Sequence, residues 1–163
     1  MKYCYECGTK LINKELEHEG IIPFCSCCNQ FRFPIYSTAV SMIVMNKKMD
    51  KILLIKQYHK DRFILVAGYI NKGESAEDAC IRELKEETSL TANKLIFNKT
   101  KYFSKSNTLM INFGVIVDNE LVNKNYEIDD YKWFSIEDSR KSIADNSLAS
   151  EFLEIFYQNN LKK

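Results

Sequence analysis

The chain has 163 residues, 45% hydrophobic and 28% charged, with 23 Lys plus Arg against 22 Asp plus Glu and a net charge of +1. This is ordinary globular composition, which excludes collagen, coiled coil and wholesale disorder. The charge balance argues against a strongly basic nucleic-acid binder, and the apolar stretches around Ala39–Met45 and Ile52–Ile55 fall far short of a bilayer span. Met1-Lys2-Tyr3-Cys4 forms no apolar signal region, so a cytoplasmic location without membrane attachment is expected.

Five of the six cysteines lie in the first 28 residues. Cys4-x2-Cys7-Gly8 and Cys25-x2-Cys28 make two turns, each aiming two thiolates at one point. Four soft ligands so placed suit the tetrahedron of a closed structural Zn²⁺ site. Cys27 reads as a bystander between the second pair, or as a substitute for Cys25 or Cys28. A closed site leaves no position for water, so its job is to hold together about 30 residues, too few to bury a core. Lys2, Lys10, Lys14 and Arg32 are diluted by Glu6, Glu15, Glu17 and Glu19, so the segment lacks the basic stripe of a nucleic-acid binder. Composition changes at Pro34, which sets the expected boundary between a zinc ribbon at 1–33 and a main domain at 34–163.

In the main domain, Tyr36–Met45 and Ile52–Tyr58 read as a hairpin across Asn46-Lys47-Lys48-Met49-Asp50. Phe63–Ala67 reads as a short strand stopped by Gly68. Ser75–Ser89 is the clearest helix, with Ser75 as N-cap and Asp78 completing a capping box. Leu95–Phe103, Leu109–Val117 and Tyr131–Phe134 read as strands. Leu148, Phe152, Ile155 and Phe156 have the spacing of an amphipathic helix. The fold class is α/β (α+β), a mixed β-sheet sandwiched between helices.

The chemistry concentrates in the helix after Gly68. Glu83, Glu86 and Glu87 are related by i, i+3 and i+4 and share one face, while Ile81 and Leu84 are free to anchor another side to the sheet. Like charges so placed repel; hard divalent cations such as Mg²⁺ or Mn²⁺ would offset them and take phosphate oxygens as well. A solvated Glu/Lys surface helix is the bland alternative.

The full spacing, Gly68-x5-Glu74-x7-Arg82-Glu83-Leu84-x-Glu86-Glu87-x-Ser89-Leu90, resembles the Nudix box G-x5-E-x7-R-E-U-x-E-E-x-G-U, where U is a bulky aliphatic residue. Ser89 is the one departure, at a helix end where Gly is favoured. The resemblance implies a metal-dependent hydrolase of a nucleoside diphosphate linked to another moiety. It makes Glu83, Glu86 and Glu87 ligands for Mg²⁺ or Mn²⁺, Glu74 a supporting or orienting acid, and Arg82 a partner of the box carboxylates. Glu127 falls where related proteins carry a further metal-ligating acid; Glu86, Glu87 and Glu127 all stand as candidates for the general base. Within the family, the four-cysteine ribbon, Ala67-Gly68-Tyr69, and the late Glu127 with Trp133-Phe134 are similar to the NADH pyrophosphatase group. That similarity implies a ring-stacking role for Tyr69 in a substrate site with Ala67 and Gly68, and it makes a homodimer plausible.

The S-Q-P-W-P-F-P-x-S stretch that marks NAD(H) specificity is absent. Tyr102-Phe103-Ser104-Lys105-Ser106 stands in its place, with Phe103 as the candidate replacement for the lost aromatic. The leading expectation is a dinucleotide pyrophosphatase for NAD(H)- or ADP-ribose-like small molecules. The alternatives are a hydrolase of nucleoside triphosphates or dinucleoside polyphosphates, and a catalytically idle ligand-sensing or RNA-associated adaptor.

Overall fold

The computed structural model describes residues 1–162, which fall into a unit Met1–Tyr36 and a second unit from Ser37 onward. In the first, strands β1 (Ile12–Leu16), β2 (Gly20–Cys25) and β3 (Gln30–Phe31) form an antiparallel sheet in the order β1-β2-β3. Its buried hydrophobic residues are only Cys4, Phe24 and Cys25. So small an apolar interior does little to offset the conformational entropy of ordering the segment, and it is in this unit that the thiols of Cys4, Cys7, Cys25 and Cys28 gather.

The second unit is built on a mixed sheet of β4 (Ser37–Met45), β5 (Lys51–Gln57), β6 (Val66–Tyr69), β7 (Ala92–Phe103), β8 (Thr108–Val117) and β9 (Ile128–Ser135). The order is β7-β8-β4-β5-β9, with β6 also paired to β4. β4 and β8 run parallel and every other pair is antiparallel. β5 and β6 divide one edge of β4: β5 pairs with Val44 and Met45, β6 with Ala39 through Met42.

Side-chain alternation along the strands assigns the two faces. Val40, Met42, Val44, Leu53 and Ile55 pack with Ala79, Cys80 and Leu84 of helix α1 (Ala76–Thr88). Ile43, Met45, Ile52 and Leu54 pack on the other side with Phe152, Leu153 and Phe156 of helix α3 (Leu148–Phe156), near the short helix α2 (Ile136–Ser142). Gly114 permits that second layer: a Cβ there would lie 2.3 Å from the Phe156 ring. The expected mixed sheet between helices is therefore present, and the order of its elements follows the expected chain order.

Three local expectations are corrected. Gly68 does not stop a strand; β6 runs through it, paired as Val40 with Gly68 and Ala39 with Tyr69, while Phe63 and Ile64 make only isolated bridges. Ile81 is 46% exposed and anchors nothing, because the sheet-facing row of α1 runs through Cys80, Leu84, Glu87 and Thr88. Ser75 caps α1 as expected, but Asp78 takes the Ser75 hydroxyl (2.7 Å) instead of the cap's backbone N–H, so the box is not reciprocal. The reciprocal box occurs at Ser147 and Ser150 of α3.

Candidate active site

The acidic face of α1 is held by two devices. The first is the missing side chain at Gly68. A Cβ there would lie 2.0 Å from Cδ of Glu83, so only glycine lets this carboxylate lie directly against β6. The second is Arg82, whose five N–H donors are all engaged. Nε and Nη2 grip Glu74 in a bidentate pair at 2.7 and 2.9 Å. Nη1 donates to Glu83 (2.7 Å) and Glu86 (3.2 Å), and Nη2 also reaches the Tyr69 carbonyl (2.9 Å). Arg82 thus has no donor left for a substrate. The guanidinium, with the Asn71 N–H, holds Glu74 well below the usual carboxylate range, at about 2. Glu74 and Arg82 form the brace behind the site.

Glu87 differs from its neighbours. Its place on the sheet-facing row buries it to 2% exposure, and Gln57 Nε2 donates to its Oε2 at 3.2 Å. Burial first, then the charges of Glu83 and Glu127, push its carboxyl up to about 8. Glu127 is brought in from the β8–β9 loop, which docks on the C-terminal end of α1. The Asn123 and Asn125 N–H groups donate to the carbonyls of Thr88 and Glu87 at 2.9 and 3.0 Å. The Glu127 N–H in turn donates to Asn125 Oδ1 at 2.9 Å. Ser89, at the position where the box has glycine, adopts the left-handed conformation with φ of 60°. Its hydroxyl donates to the Asn123 carbonyl at 3.1 Å, a bond glycine cannot make, which offsets part of the roughly 1 kcal/mol backbone cost.

One cavity of about 470 Å³ gathers these groups, within the range of ligand sites. Glu83, Glu86, Glu87 and Glu127 line it with Ala67, Gly68 and Tyr69, and so do Gln57, Tyr58, Ser106, Thr108 and Met110. No Lys, Arg or His is among its lining residues. The sequence pattern does not single out Gln57 or Tyr58; the available signal is weak, a polar Gln57 after Lys56 at the end of the apolar run Ile52–Ile55 of β5. Phe103 is not brought here. It lies among Lys101, Arg140, Ile143 and Leu153, because the chain turns through Ser104–Ser106 and the cavity wall is supplied by Ser106, Thr108 and Met110, two apart along the chain.

The glutamate oxygens are not as tightly gathered as the thiols of the first unit. Among the described residues, the ligand atoms that come within 4.8 Å of one another are those of Cys4, Cys7, Cys25 and Cys28. Arg82 draws Glu83 and Glu86 toward its own guanidinium, at 2.7 and 3.2 Å. In the cysteine cluster, buried Arg32 donates Nε to Cys4 Sγ at 3.2 Å and is itself balanced by Glu6. Four thiols so gathered fit a soft tetrahedral ion. The oxygen donors around the cavity fit a hard one.

Two outcomes follow from this geometry. Gly68→Ala is expected to expel Glu83 from β6 and weaken Mn²⁺ binding about tenfold or more, read by paramagnetic relaxation; unchanged affinity would show that Glu83 has room to move. The second concerns Glu87, whose folded value lies above the unfolded one. The folded state therefore holds the extra proton between about 4.5 and 8, and its stability falls as pH rises through that window. Glu87→Gln removes this penalty. Without added Mg²⁺ or Mn²⁺, the variant is expected to melt about 2–6 °C above the parent at pH 8.5, with a smaller gain at pH 5, by calorimetry.

The fold and residue pattern agree with comparisons to known proteins. The family model of the NUDIX domain matches residues 35–154. A curated relative, the NAD-capped RNA hydrolase NudC of Pseudomonas aeruginosa, is 27% identical over 158 residues, covering 95% of this chain and 55% of the relative. The protein of the same name from Pseudomonas putida is 27% identical, covering 98% and 57%. The chain thus spans a little over half the length of these relatives. Among solved structures, a NUDIX hydrolase from Nitrosomonas europaea superposes with a TM-score of 0.69 at 17% identity, over 98% of this chain and 92% of that one. The NUDIX domain of Shewanella oneidensis NrtR, solved with ADP ribose, gives 0.64 at 16% identity, over 77% and 89%. No helix here is long and apolar enough to cross a membrane. With the family model covering the whole sheet and the box helix, the chain belongs to the Nudix hydrolase family.

Proposed function

We propose that this protein hydrolyses the phosphoanhydride of a nucleoside diphosphate linked to another moiety, with NAD(H)- or ADP-ribose-like dinucleotides as its preferred class. The observation that carries this is the lining of the cavity: four carboxylates and no cationic side chain. A diphosphate entering such a cavity meets only repulsion unless divalent cations accompany it. Glu83, Glu86, Glu87 and Glu127 would hold Mg²⁺ or Mn²⁺, which supplies charge neutralisation and an activated water.

The protein's own groups then have separable tasks. Arg82 and Glu74 keep Glu83 and Glu86 oriented without touching substrate. Without a cation, burial keeps a proton on Glu87 up to about 8; a divalent cation beside it would favour the ionised form, in which Glu87, oriented by Gln57, could take a proton from water. The wall of Ser106, Thr108 and Met110 offers hydroxyls and a thioether, and no cation to hold extra phosphates. That absence favours a diphosphate diester over a more highly charged triphosphate. The Pseudomonas relatives, named as NAD-capped RNA hydrolases, add the NAD-linked end of an RNA to the candidate substrates. The four cysteines are proposed to hold a structural Zn²⁺ in a ribbon that precedes the catalytic domain.

Incubation with NADH and Mn²⁺ is expected to release nicotinamide mononucleotide and adenosine monophosphate, read by mass. Glu87→Gln should lower kcat by about a hundredfold or more with the fold intact. Release of inorganic pyrophosphate from nucleoside triphosphates, with dinucleotides untouched, would favour the triphosphate reading instead. Removing Zn²⁺ with a thiol-selective chelator is expected to unfold the first unit while Mn²⁺ binding by the second persists; loss of both together would contradict the separation of roles.

A further inference from the structure

Tyr58 follows β5 and is 70% exposed, yet its backbone is held in an unusual state. Tyr58 and His59 have φ of 60° and 53°, two consecutive non-glycine residues in the left-handed region. Bulky side chains adopt this conformation rarely, and only where neighbours enforce it. The enforcing contacts are on both sides. Before Tyr58, the Gln57 side chain is bonded to Glu87 of the acidic helix. After it, the His59 N–H donates to Asp129 Oδ2 at 2.6 Å, and the His59 ring lies 3.2 Å from the other oxygen of that carboxylate. Asp129 stands two residues beyond Glu127. The two anchors of Tyr58 are thus the two segments that carry the site's carboxylates.

The backbone state is that of a tight turn, closed by the Lys60 N–H donating to the Gln57 carbonyl at 3.2 Å where the chain returns from β5 to Ile64, but the turn gives the Tyr58 ring no duty of its own. The Tyr58 hydroxyl makes no hydrogen bond among the described residues, and its ring contacts no other aromatic ring. Tyr69, 60% exposed, is equally free at the level of its ring and lines the same cavity from β6. The cavity therefore has two unengaged aromatic faces beside a floor of carboxylates. Aromatic faces with that freedom are platforms for planar heterocycles.

We infer that Tyr58 is a substrate-contacting residue that stacks on a planar heterocycle joined through its sugar to the diphosphate, so that ring-bearing nucleotides are selected over sugar phosphates. This rests on the cavity being the nucleotide site proposed above. It deepens that reading by naming the second aromatic contact, in a chain whose Phe103 lies elsewhere.

The test is binding of monophosphates to the intact protein in Mg²⁺, read by ligand-observed NMR with adenosine monophosphate, nicotinamide mononucleotide and ribose 5-phosphate. The unaltered protein is expected to bind at least one ring-bearing ligand about tenfold or more tightly than ribose 5-phosphate. Tyr58→Ala should remove most of that preference with ribose 5-phosphate affinity unchanged, and Tyr58→Phe should keep it. The inference is overturned if the parent binds all three ligands alike, or if Tyr58→Ala keeps the preference or weakens all three equally. Loss of the preference in Tyr58→Phe would also overturn it, since the hydroxyl and not the ring would then be responsible. Failure of the proposed reaction reads differently: no diphosphate is hydrolysed while the ring preference stands.

Discussion

Mutual repulsion among carboxylates is the constraint around which the catalytic unit is organised. Glu83, Glu86, Glu87 and Glu127 line one cavity with no positive side chain among them, an arrangement that opposes folding unless neighbours hold it. Four kinds of support are present. Arg82 spends every donor on the acids and on the backbone beside them. Burial leaves Glu87 with a raised affinity for a proton, which lowers the charge of the resting site. Gly68 gives Glu83 a place against the sheet that any side chain would fill. The apolar underside of α1, through Ala79, Cys80 and Leu84, pins the helix so that the repulsion cannot be relieved by moving it away.

The same helix therefore serves two opposed demands. Its sheet-facing row supplies stability of the ordinary kind, since burying a leucine such as Leu84 contributes about 1.5–3 kcal/mol. Glu87 interrupts that row with a group the interior penalises. A sequence selected for stability alone would place an apolar residue there, so its presence is informative about function.

Much of this was legible in the chain itself. The strands of the main sheet are apolar and rich in β-branched residues, the α1 spacing marks the acidic face, and the resemblance to the Nudix box implies Arg82 as a partner of those acids. What was not legible depends on tertiary placement. Gly68 looked like a terminator because a glycine at the end of an apolar run carries no record of the glutamate lying against it. Ile81 looked like an anchor because one aliphatic residue on a helix is ambiguous until the sheet chooses a face. Phe103 has the aromaticity of a ring contact, whereas the chain's turn through Ser104–Ser106 gives the wall to Ser106, Thr108 and Met110. Gln57 and Tyr58 carry no local signal because their placement depends on the bond from Gln57 to Glu87, 30 residues away, and on that from His59 to Asp129, 70 residues away.

The β8–β9 loop has a consequence beyond placing Glu127. Its amides terminate the carbonyl ladder of α1, and Ser89 returns a hydroxyl to it, so loop and helix end are stitched at three points. Fraying of the final helical turn and departure of the loop are thereby a single cooperative event. The exposed Leu121 side chain lies outside this stitching, whereas inserting one residue between Asn123 and Glu127 would break it and carry the acid away with it.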